Sequence, residues 1–402
     1  MIVMAGSMIS SFAATILLGR SLSLNDFGEF ALLKQILLIG FTVAVFGLDH
    51  GYIKYFSRNH RNNRRIHFLT FSIIIGIALL YVFGISILYP FQSKKLFFIS
   101  ISVCFGALNL YLAARSRVEE KFFWGQLLHS GWKIIFLVSI VFMPMFNNAS
   151  PMNYVYISIP ISLIVFSIIF IRILFQGSDP ISDNVDIGHY LKLGLIFWLI
   201  NSTGLISGGI EKMVIPLIYD SETLGIFTGS SFLFIISLTM IGSAIGYVIF
   251  PQISSGKSVN LRKVFFWILM ITIFSTLLFS QFGESIVKIL FTGRFDEYID
   301  SQLIILFTII GSLNIIHTIL HFLLSAHADK KQLLIYWIIT LANIVFFVLV
   351  LLMMKGTSFS LLTDISLTII LARSVKIVSI LVLLKKVKND KDGFLKVAPE
   401  AA

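Results

Sequence analysis

The chain has 402 residues, of which 57% are apolar types and only 13% are charged. Its mean hydropathy of +0.93 is far above that of ordinary soluble domains, so water is excluded as its main solvent. The formal net charge is +11, and the single cysteine, Cys104, excludes an intramolecular disulfide.

Apolar segments long enough to cross a bilayer recur from one terminus to the other. A hydrocarbon core of about 30 Å needs about 20 apolar residues in a helix. No positive charge precedes the first segment, so we expect it to be retained as a helix and not removed as a signal peptide. Twelve helices are predicted, at 1–18, 30–52, 67–89, 96–114, 123–146, 152–175, 190–217, 224–250, 264–282, 301–325, 332–354 and 358–384.

Lysine and arginine are distributed unevenly between the two sets of loops. They concentrate after the second, fourth, sixth, eighth and tenth segments and in the C-terminal tail. The positive-inside rule therefore predicts that these loops and both termini are cytoplasmic. Most of the basic charge then reflects topology and contact with anionic membrane lipids. Because the basic patches are short loops at helix ends, nucleic acid is not an expected partner.

A glycine frame occurs twice, almost half a chain apart. GLDHGY at 47–52 follows LNDFGEF at 24–30, and GSAIGY at 242–247 follows SETLGIF at 221–227. In each half, the earlier stretch is expected to open a helix and the glycine frame to end it. Six helices separate the copies, so the two halves share one orientation, as in parallel repeats. Gly-x-x-x-Gly alone only allows close helix packing, but two copies in matching context favour an internal repeat.

These patterns predict an all-α integral membrane protein with about 12 transmembrane helices in two six-helix lobes. The predicted lobes are 1–180 and 181–386, related by the parallel repeat and followed by a cytoplasmic tail at 387–402. Such a symmetry predicts a cavity between the lobes.

Polar residues at helical spacing mark several of the apolar segments. Ionisable groups inside a membrane are costly and tend to face a cavity or a partner. Lys34 and Asp49 lie on the second segment. The other polar stripes are Gln126, His129 and Lys133 on the fifth; Asn201, Gly204, Gly208 and Glu211 on the seventh; Asn314, His317, His321 and Ser325 on the tenth; and Arg373 and Lys376 on the twelfth.

Three stretches of the chain resemble the Wzx-type polysaccharide flippases of the MOP exporter superfamily. They are LLGRSLSLNDFGEFALLKQILLIGFTVAVFGLDHGYIKYFSR at 17–58, IEKMVIPLIYDSETLGIF at 210–227 with GYVIFPQIS at 246–254, and LFTGRFDEY at 290–298. The resemblance implies two six-helix bundles and a cavity that opens alternately to cytoplasm and periplasm. It also implies a bacterial inner membrane location, undecaprenyl-diphosphate-linked oligosaccharide as cargo, and polysaccharide polymerase machinery as a partner.

Buried cations suit a cargo that carries a diphosphate, because arginine and lysine both bind phosphate oxygens. The predicted cargo-binding residues are Lys133, Arg373 and Lys376 for the diphosphate, with Lys34, Lys212 and Arg20 nearer the periplasmic mouth. The alternative for each is an ion pair or a snorkelling side chain. That alternative is strongest for Lys212, beside Glu211, and for Arg20 at a helix end.

Four further residues are candidates for coupling transport to proton or sodium movement. They are Glu211, Asp49, His317 and His321. His317 and His321 also have metal-ligand spacing, but no nearby Cys, Asp or Glu on that segment completes a zinc site, so no metal or other cofactor is expected. The membrane potential is an alternative driving force, since two charges crossing 100 mV gain roughly 5 kcal/mol.

The sequence therefore predicts a secondary transporter that flips O-antigen or capsule repeat units to the periplasmic leaflet. An enzyme is not expected, because SSGKS at 254–258 has Pro251 where a phosphate loop needs its first glycine. One alternative is a multidrug exporter, although organic cations call for an acidic cavity and the buried charges are mainly basic. Another is a membrane polymerase or ligase, although the longest external break, near 283–300, is short.

Overall fold

The chain folds into helices throughout the part that the structure describes. The computed structural model describes residues 2–56, 64–145, 150–175, 186–254, 261–327, 330–355 and 360–395. No strand occurs within these ranges. The helices are α1 (Ile2–Ser21), α2 (Leu24–Val45), α3 (Leu48–Phe56), α4 (Arg64–Leu88), α5 (Ser93–Val118), α6 (Phe122–Ser130), α7 (Trp132–Phe142), α8 (Pro151–Phe175), α9 (Ile187–Ser207), α10 (Ile210–Ile218), α11 (Ser221–Ser254), α12 (Leu261–Phe291), α13 (Ser301–His327), α14 (Lys330–Met354) and α15 (Leu361–Leu395), with short 3-10 helices at Met143–Met145 and Asp296–Tyr298.

Ten of these helices contain a stretch long and apolar enough to cross a membrane on its own. The pair α6 and α7, bent by 43°, and the pair α9 and α10, bent by 55°, each reach that length together. The described residues therefore hold 10 spans, or up to 12 if each bent pair counts as one. The predicted all-α class and its number of transmembrane helices are confirmed, and the protein is a multi-pass membrane protein.

Burial separates inner helices from peripheral ones. The span in α2 is 72% buried, whereas those in α12 and α14 are each 17% buried. The peripheral helices expose large apolar side chains such as Phe274 and Met353. An exposed apolar surface of this extent is suited to lipid and not to water.

The predicted helix 30–52 is divided into α2 and α3 at Phe46 and Gly47. Both residues are left-handed, with φ of 52° and 65°. Only glycine adopts this conformation without steric cost. A side chain at Gly47 would also collide with α9, because its Cβ would lie 2.2 Å from the carbonyl oxygen of Gly194. The first copy of the glycine frame therefore turns the chain and brings it against α9.

The second copy of the frame lies inside α11, which continues to Ser254. Its Gly242 faces α13, where an added Cβ would lie 3.0 Å from the Cα of Ile315. The expectation that the frame ends both helices is therefore wrong for this copy. The physical difference is that no left-handed residue interrupts α11 along its described length.

The chain divides into two compact units. Unit 1 comprises Met1–Leu205 with Ile215–Gly225, and unit 2 comprises Ile206–Val214 with Ile226–Ala402. The predicted lobe boundary at residue 180 falls in 176–185, outside the described residues, and stays a prediction. The helix α15 runs to Leu395, so the start of the predicted tail at 387 continues this helix.

The first turns of α2 and α11 meet within unit 1 through a pair of glycines. A Cβ on Gly28 would lie 1.7 Å from the carbonyl oxygen of Ser221, and a Cβ on Gly225 would lie 2.0 Å from that of Leu24. Both glycines belong to the stretches that precede the repeated frame. They allow backbone contact between the two helices, as small residues commonly do in membrane proteins.

Gly28→Ala is expected to lower the free energy of unfolding by about 1–3 kcal/mol, because the added methyl group meets backbone on the facing helix. The apparent Tm in detergent measures this, with a thiol-reactive dye reporting the exposure of Cys104, which is partly buried in the folded protein. Gly76→Ala in α4 is the matched control, since its added Cβ meets nothing within 4 Å. Equal Tm values for the two variants would contradict the tight contact.

Candidate functional site

A cleft in unit 1 brings together two of the predicted cargo-binding lysines. It is lined by residues of α1, α2, α7 and α8 and contains about 550 Å³ of atom-free space, open solvent included. Lys34 reaches it from α2 and Lys133 from α7.

The polar groups of the cleft are ammonium and hydroxyl groups. The Nζ of Lys34 donates a hydrogen bond to Oγ1 of Thr15 at 3.3 Å, and Ser11 lies in the same wall. No carboxylate from the described residues lines the cleft. Lys133 has no acidic partner within ion-pair distance in the described part of the chain. The cleft is therefore positively charged and suited to an anion.

Aromatic rings form the rest of the cleft wall. Phe41 and Trp132 meet edge to face with centroids 6.2 Å apart, and Phe30 stacks on Phe136 at 6.4 Å. The ring of Phe41 occupies the space that a side chain at Gly106 would need, with an atom 2.2 Å from the ideal Cβ position. Packed rings of this kind hold a fixed apolar surface beside the two lysines.

Arg373 and Lys376 lie in unit 2, where Arg373 forms a buried ion pair with Glu211. One guanidinium nitrogen of Arg373 lies 3.0 Å from Oε1 of Glu211, and their side chains are 9% and 6% exposed. The pair joins α10 to α15. Lys212, the next residue along α10, is half-buried. The ion pair is the alternative considered for Arg373, and a direct contact of Arg373 with cargo stays a prediction.

Lys376 is enclosed one helical turn beyond Arg373. The residue is 2% exposed, and its Nζ has no hydrogen-bond partner among the described atoms. The ammonium group lies over the ring of Tyr336 on α14, 5.3 Å from the centroid. This contact attracts a cation but does not replace its lost hydrogen bonds with water.

His317 and His321 on α13 are connected through the hydroxyl of Tyr336. That hydroxyl lies 3.1 Å from Nδ1 of His321 and 3.5 Å from Nε2 of His317. The two imidazole rings stack with centroids 6.3 Å apart. Within the described ranges no three His, Cys, Asp or Glu side chains form a group that could hold a metal ion. Ser325, the last member of this predicted stripe, has a side chain outside the described residues.

Asp49 forms its own pair with His50 in α3, in unit 1. Oδ2 of Asp49 lies 2.9 Å from Nδ1 of His50. Burial acts to raise the pKa of Asp49, but the charge and hydrogen bonds of His50 outweigh it, so the pKa lies below its ordinary value. Burial acts to lower the pKa of His50, and the carboxylate of Asp49 raises it above its ordinary value. The neighbouring charges thus favour the ion pair.

Arg20 is exposed at the end of α1 and does not line the cleft.

No protein-family model matches the sequence, and no curated protein does either. Several solved structures are similar over nearly the whole chain. The lipid II flippase MurJ, in an inward closed conformation, has a TM-score of 0.68 and 17% identity, covering 100% of this chain and 93% of MurJ. An inward-facing multidrug resistance MATE transporter of the MOP superfamily has a TM-score of 0.63 and 14% identity, covering 95% and 96%. The Vibrio cholerae MATE transporter VcmN, in its bent form, has a TM-score of 0.61 and 11% identity, covering 96% and 95%.

The chain has the fold of these solved structures. Identities of 11% to 17% establish the fold alone, so the resemblance to flippases is supported at this coarser level. Solved proteins with the MOP fold include a lipid flippase as well as multidrug transporters. What this chain binds therefore has to be inferred from the residues that it places in this fold.

The sequence interpretation missed the aromatic members of both polar groups. Trp132 and Phe41 line the cleft with the lysines, and Tyr336 joins the two histidines. Trp132 had a usable signal, since it directly precedes Lys133. Tyr336 had none, because it comes from a helix without a polar stripe.

Proposed function

We propose that the protein is a secondary transporter that flips an undecaprenyl-diphosphate-linked oligosaccharide across a bacterial inner membrane. Cargo would enter from the cytoplasmic leaflet and leave in the periplasmic one. The observation that supports this most is the placement of Lys34 and Lys133 in one aromatic cleft whose described lining residues include no carboxylate.

The chemistry of the cleft matches the part of this cargo that hydrocarbon excludes. A diphosphate and a set of sugar hydroxyls lose their hydration in a bilayer, and the cost is prohibitive unless protein groups replace the water. Two ammonium groups supply charge-assisted hydrogen bonds to phosphate oxygens. Trp132 and Phe41 offer apolar faces against which a sugar ring can pack.

The charge of the cleft limits what it recognises. Its two ammonium groups match the phosphate oxygens of the cargo, and not its neutral sugars or its polyprenyl chain. We therefore expect the cleft to recognise the phosphate end of the cargo. The rest of the glycan and the polyprenyl chain would lie outside it.

Export of organic cations is the second candidate function. Aromatic walls bind cations through their ring faces, and the MATE proteins of similar fold are multidrug transporters. Two lysines in the same cleft oppose this function, because like charges repel in a low-dielectric site.

Deleting the gene is expected to trap lipid-linked repeat units on the cytoplasmic leaflet. The measurement is their accessibility to a glycan-modifying enzyme added to the periplasmic side of spheroplasts, and a plasmid copy should restore access. Normal access with altered polymer length would favour a polymerase. Normal access with increased sensitivity to ethidium would favour the multidrug exporter.

A further inference from the structure

The buried amine of Lys376 has no role in the cleft of unit 1, and its surroundings are unusual for a lysine. It is 2% exposed, and no oxygen atom of the described chain accepts a hydrogen bond from it. Lysine is almost never fully buried unless it is paired. An enclosed and unpaired amine therefore calls for a function that the fold alone does not require.

Titratable groups lie near this amine on α13, α14 and α15, and α10 reaches the same region through the contact of Glu211 with Arg373. His317 and His321 come from α13, and Tyr336 comes from α14. Arg373 lies one turn away on α15 itself, and Glu211 and Lys212 come from α10. Together with Lys376 these residues are called the unit 2 cluster.

The one carboxylate of the unit 2 cluster is paired with Arg373, so it does not compensate a charge on Lys376. Glu211 and Arg373 cancel each other across their 3.0 Å contact. Lys212 is half-buried and lies beside this pair, whereas Lys376 is enclosed beside neutral groups. A proton on Lys376 consequently changes the net charge of an enclosed site, and such a charge is costly in the absence of an acceptor.

The other coupling candidates are less suited to exchanging a proton. Glu211 already has a partner, since it accepts a hydrogen bond from the guanidinium of Arg373. Asp49 is paired with His50 in unit 1, far along the chain from this cluster. His317 and His321 have the hydroxyl of Tyr336 as a neutral partner, so they are better placed to pass a proton on than to store it.

We propose that Lys376 is a proton-binding site and that its protonation raises the affinity of the protein for anionic cargo. When the cluster is open to water, the amine lone pair forms an N–H bond as an O–H bond of hydronium breaks, and release reverses this step. Tyr336 and its two histidines provide hydrogen-bonding groups that can relay the proton. The link to cargo rests on the proposed transport function, whereas proton binding at Lys376 does not.

The test is the pH dependence of ligand binding by the purified full-length protein in detergent. Geranylgeranyl diphosphate serves as the anionic probe and ethidium as the cationic probe, between about pH 7.5 and 9.5, where neither diphosphate nor ordinary histidine titrates. One linked proton changes the affinity by about tenfold per pH unit. We expect affinity for the diphosphate to fall as pH rises, and the profile to become flat in Lys376→Arg and Lys376→Met.

Two control variants determine whether a different side chain is the one that titrates. Lys288→Met removes a lysine that is 68% exposed and lies outside the cluster, so it should keep the wild-type profile. His317→Gln combined with His321→Gln tests whether the imidazoles are the titrating groups. The proposal is overturned if Lys376→Arg keeps the wild-type slope, or if only the histidine variant loses it.

The outcome separates this proposal from the proposed cargo. If ethidium binds and the diphosphate does not, the cargo assignment fails, yet affinity for ethidium should rise with pH until Lys376 is replaced. If neither probe binds, a difference acid–base titration of wild type and Lys376→Met decides the matter without any ligand. In that titration, each lysine variant should lack one titrating proton relative to wild type. If the missing proton has the same midpoint in Lys376→Met as in Lys288→Met, Lys376 is an ordinary lysine and the proposal is overturned.

Discussion

Lys133→Glu is expected to reduce export of lipid-linked glycan at least 100-fold, whereas Lys133→Arg should retain most of it. A carboxylate at this position of the cleft repels the diphosphate in a site of low dielectric. The arginine keeps the positive charge and its capacity to bind phosphate. Lys133→Met removes one charge-assisted hydrogen bond worth about 1.5–3 kcal/mol, which corresponds to roughly a 10- to 100-fold loss.

The measurement is the amount of surface glycan in a deletion strain complemented by each variant, with protein abundance quantified in the same cells. Lys288→Glu is the control, because that side chain is 68% exposed and far along the chain from the cleft. An unchanged amount of surface glycan in Lys133→Glu would show that the cleft is not part of the transport path. Increased ethidium export by the same variant would support the multidrug function.

A matching loss in Lys34→Met would show that both lysines contact the same cargo. Lys34 already donates to Thr15, so its substitution removes a charge and a helix-to-helix hydrogen bond together. Comparison with Thr15→Val separates the two effects, because this variant keeps the charge of Lys34 and loses the hydrogen bonds of Thr15 to Lys34 and to the carbonyl oxygen of Ser11. Lys34→Met should reduce export further than Thr15→Val does.

Hydropathy predicted the helices well because each span is encoded in its own residues. A run of about 20 apolar residues must satisfy its backbone internally in lipid, whatever it packs against. The break between α2 and α3 was not predictable in this way. A glycine such as Gly47 occurs in many membrane helices without turning the chain, and here the turn is matched to Gly194, which lies far along the sequence in α9.

Candidate polar residues were found for a related reason. A charge in an apolar segment is rare enough to be noticed, and Lys34 and Lys133 were identified on that basis. Sequence spacing shows which residues share a face of one helix, but not which faces of different helices meet. Arg373 was grouped with Lys133 for this reason, although its carboxylate partner lies 162 residues earlier in the chain. The aromatic residues of these sites could not be distinguished in the sequence from the other members of its 39 phenylalanines, 12 tyrosines and 5 tryptophans.

Arg373→Met and Glu211→Gln are each expected to lower the free energy of unfolding by about 3–5 kcal/mol. Either substitution leaves the other member of a buried ion pair as an uncompensated charge. The double variant removes both charges and should recover much of the loss, since apolar replacements of buried pairs are often close to neutral. Apparent Tm and cellular abundance of the four proteins complete a double-mutant cycle. Additive losses would mean that the pair contributes no coupling energy.

The same four proteins decide whether Arg373 also touches cargo. If the ion pair only supports the fold, a stable double variant should export glycan at nearly the wild-type level. If the double variant is stable but inactive, one of the two charges acts in transport as well. Exchanging the charges, with Glu211→Arg and Arg373→Glu together, then separates the roles, because the swap preserves the pair while moving the cation from α15 to α10. If the swapped protein recovers its abundance but not its export, transport requires the guanidinium at its original position on α15, and the ion pair alone is not sufficient.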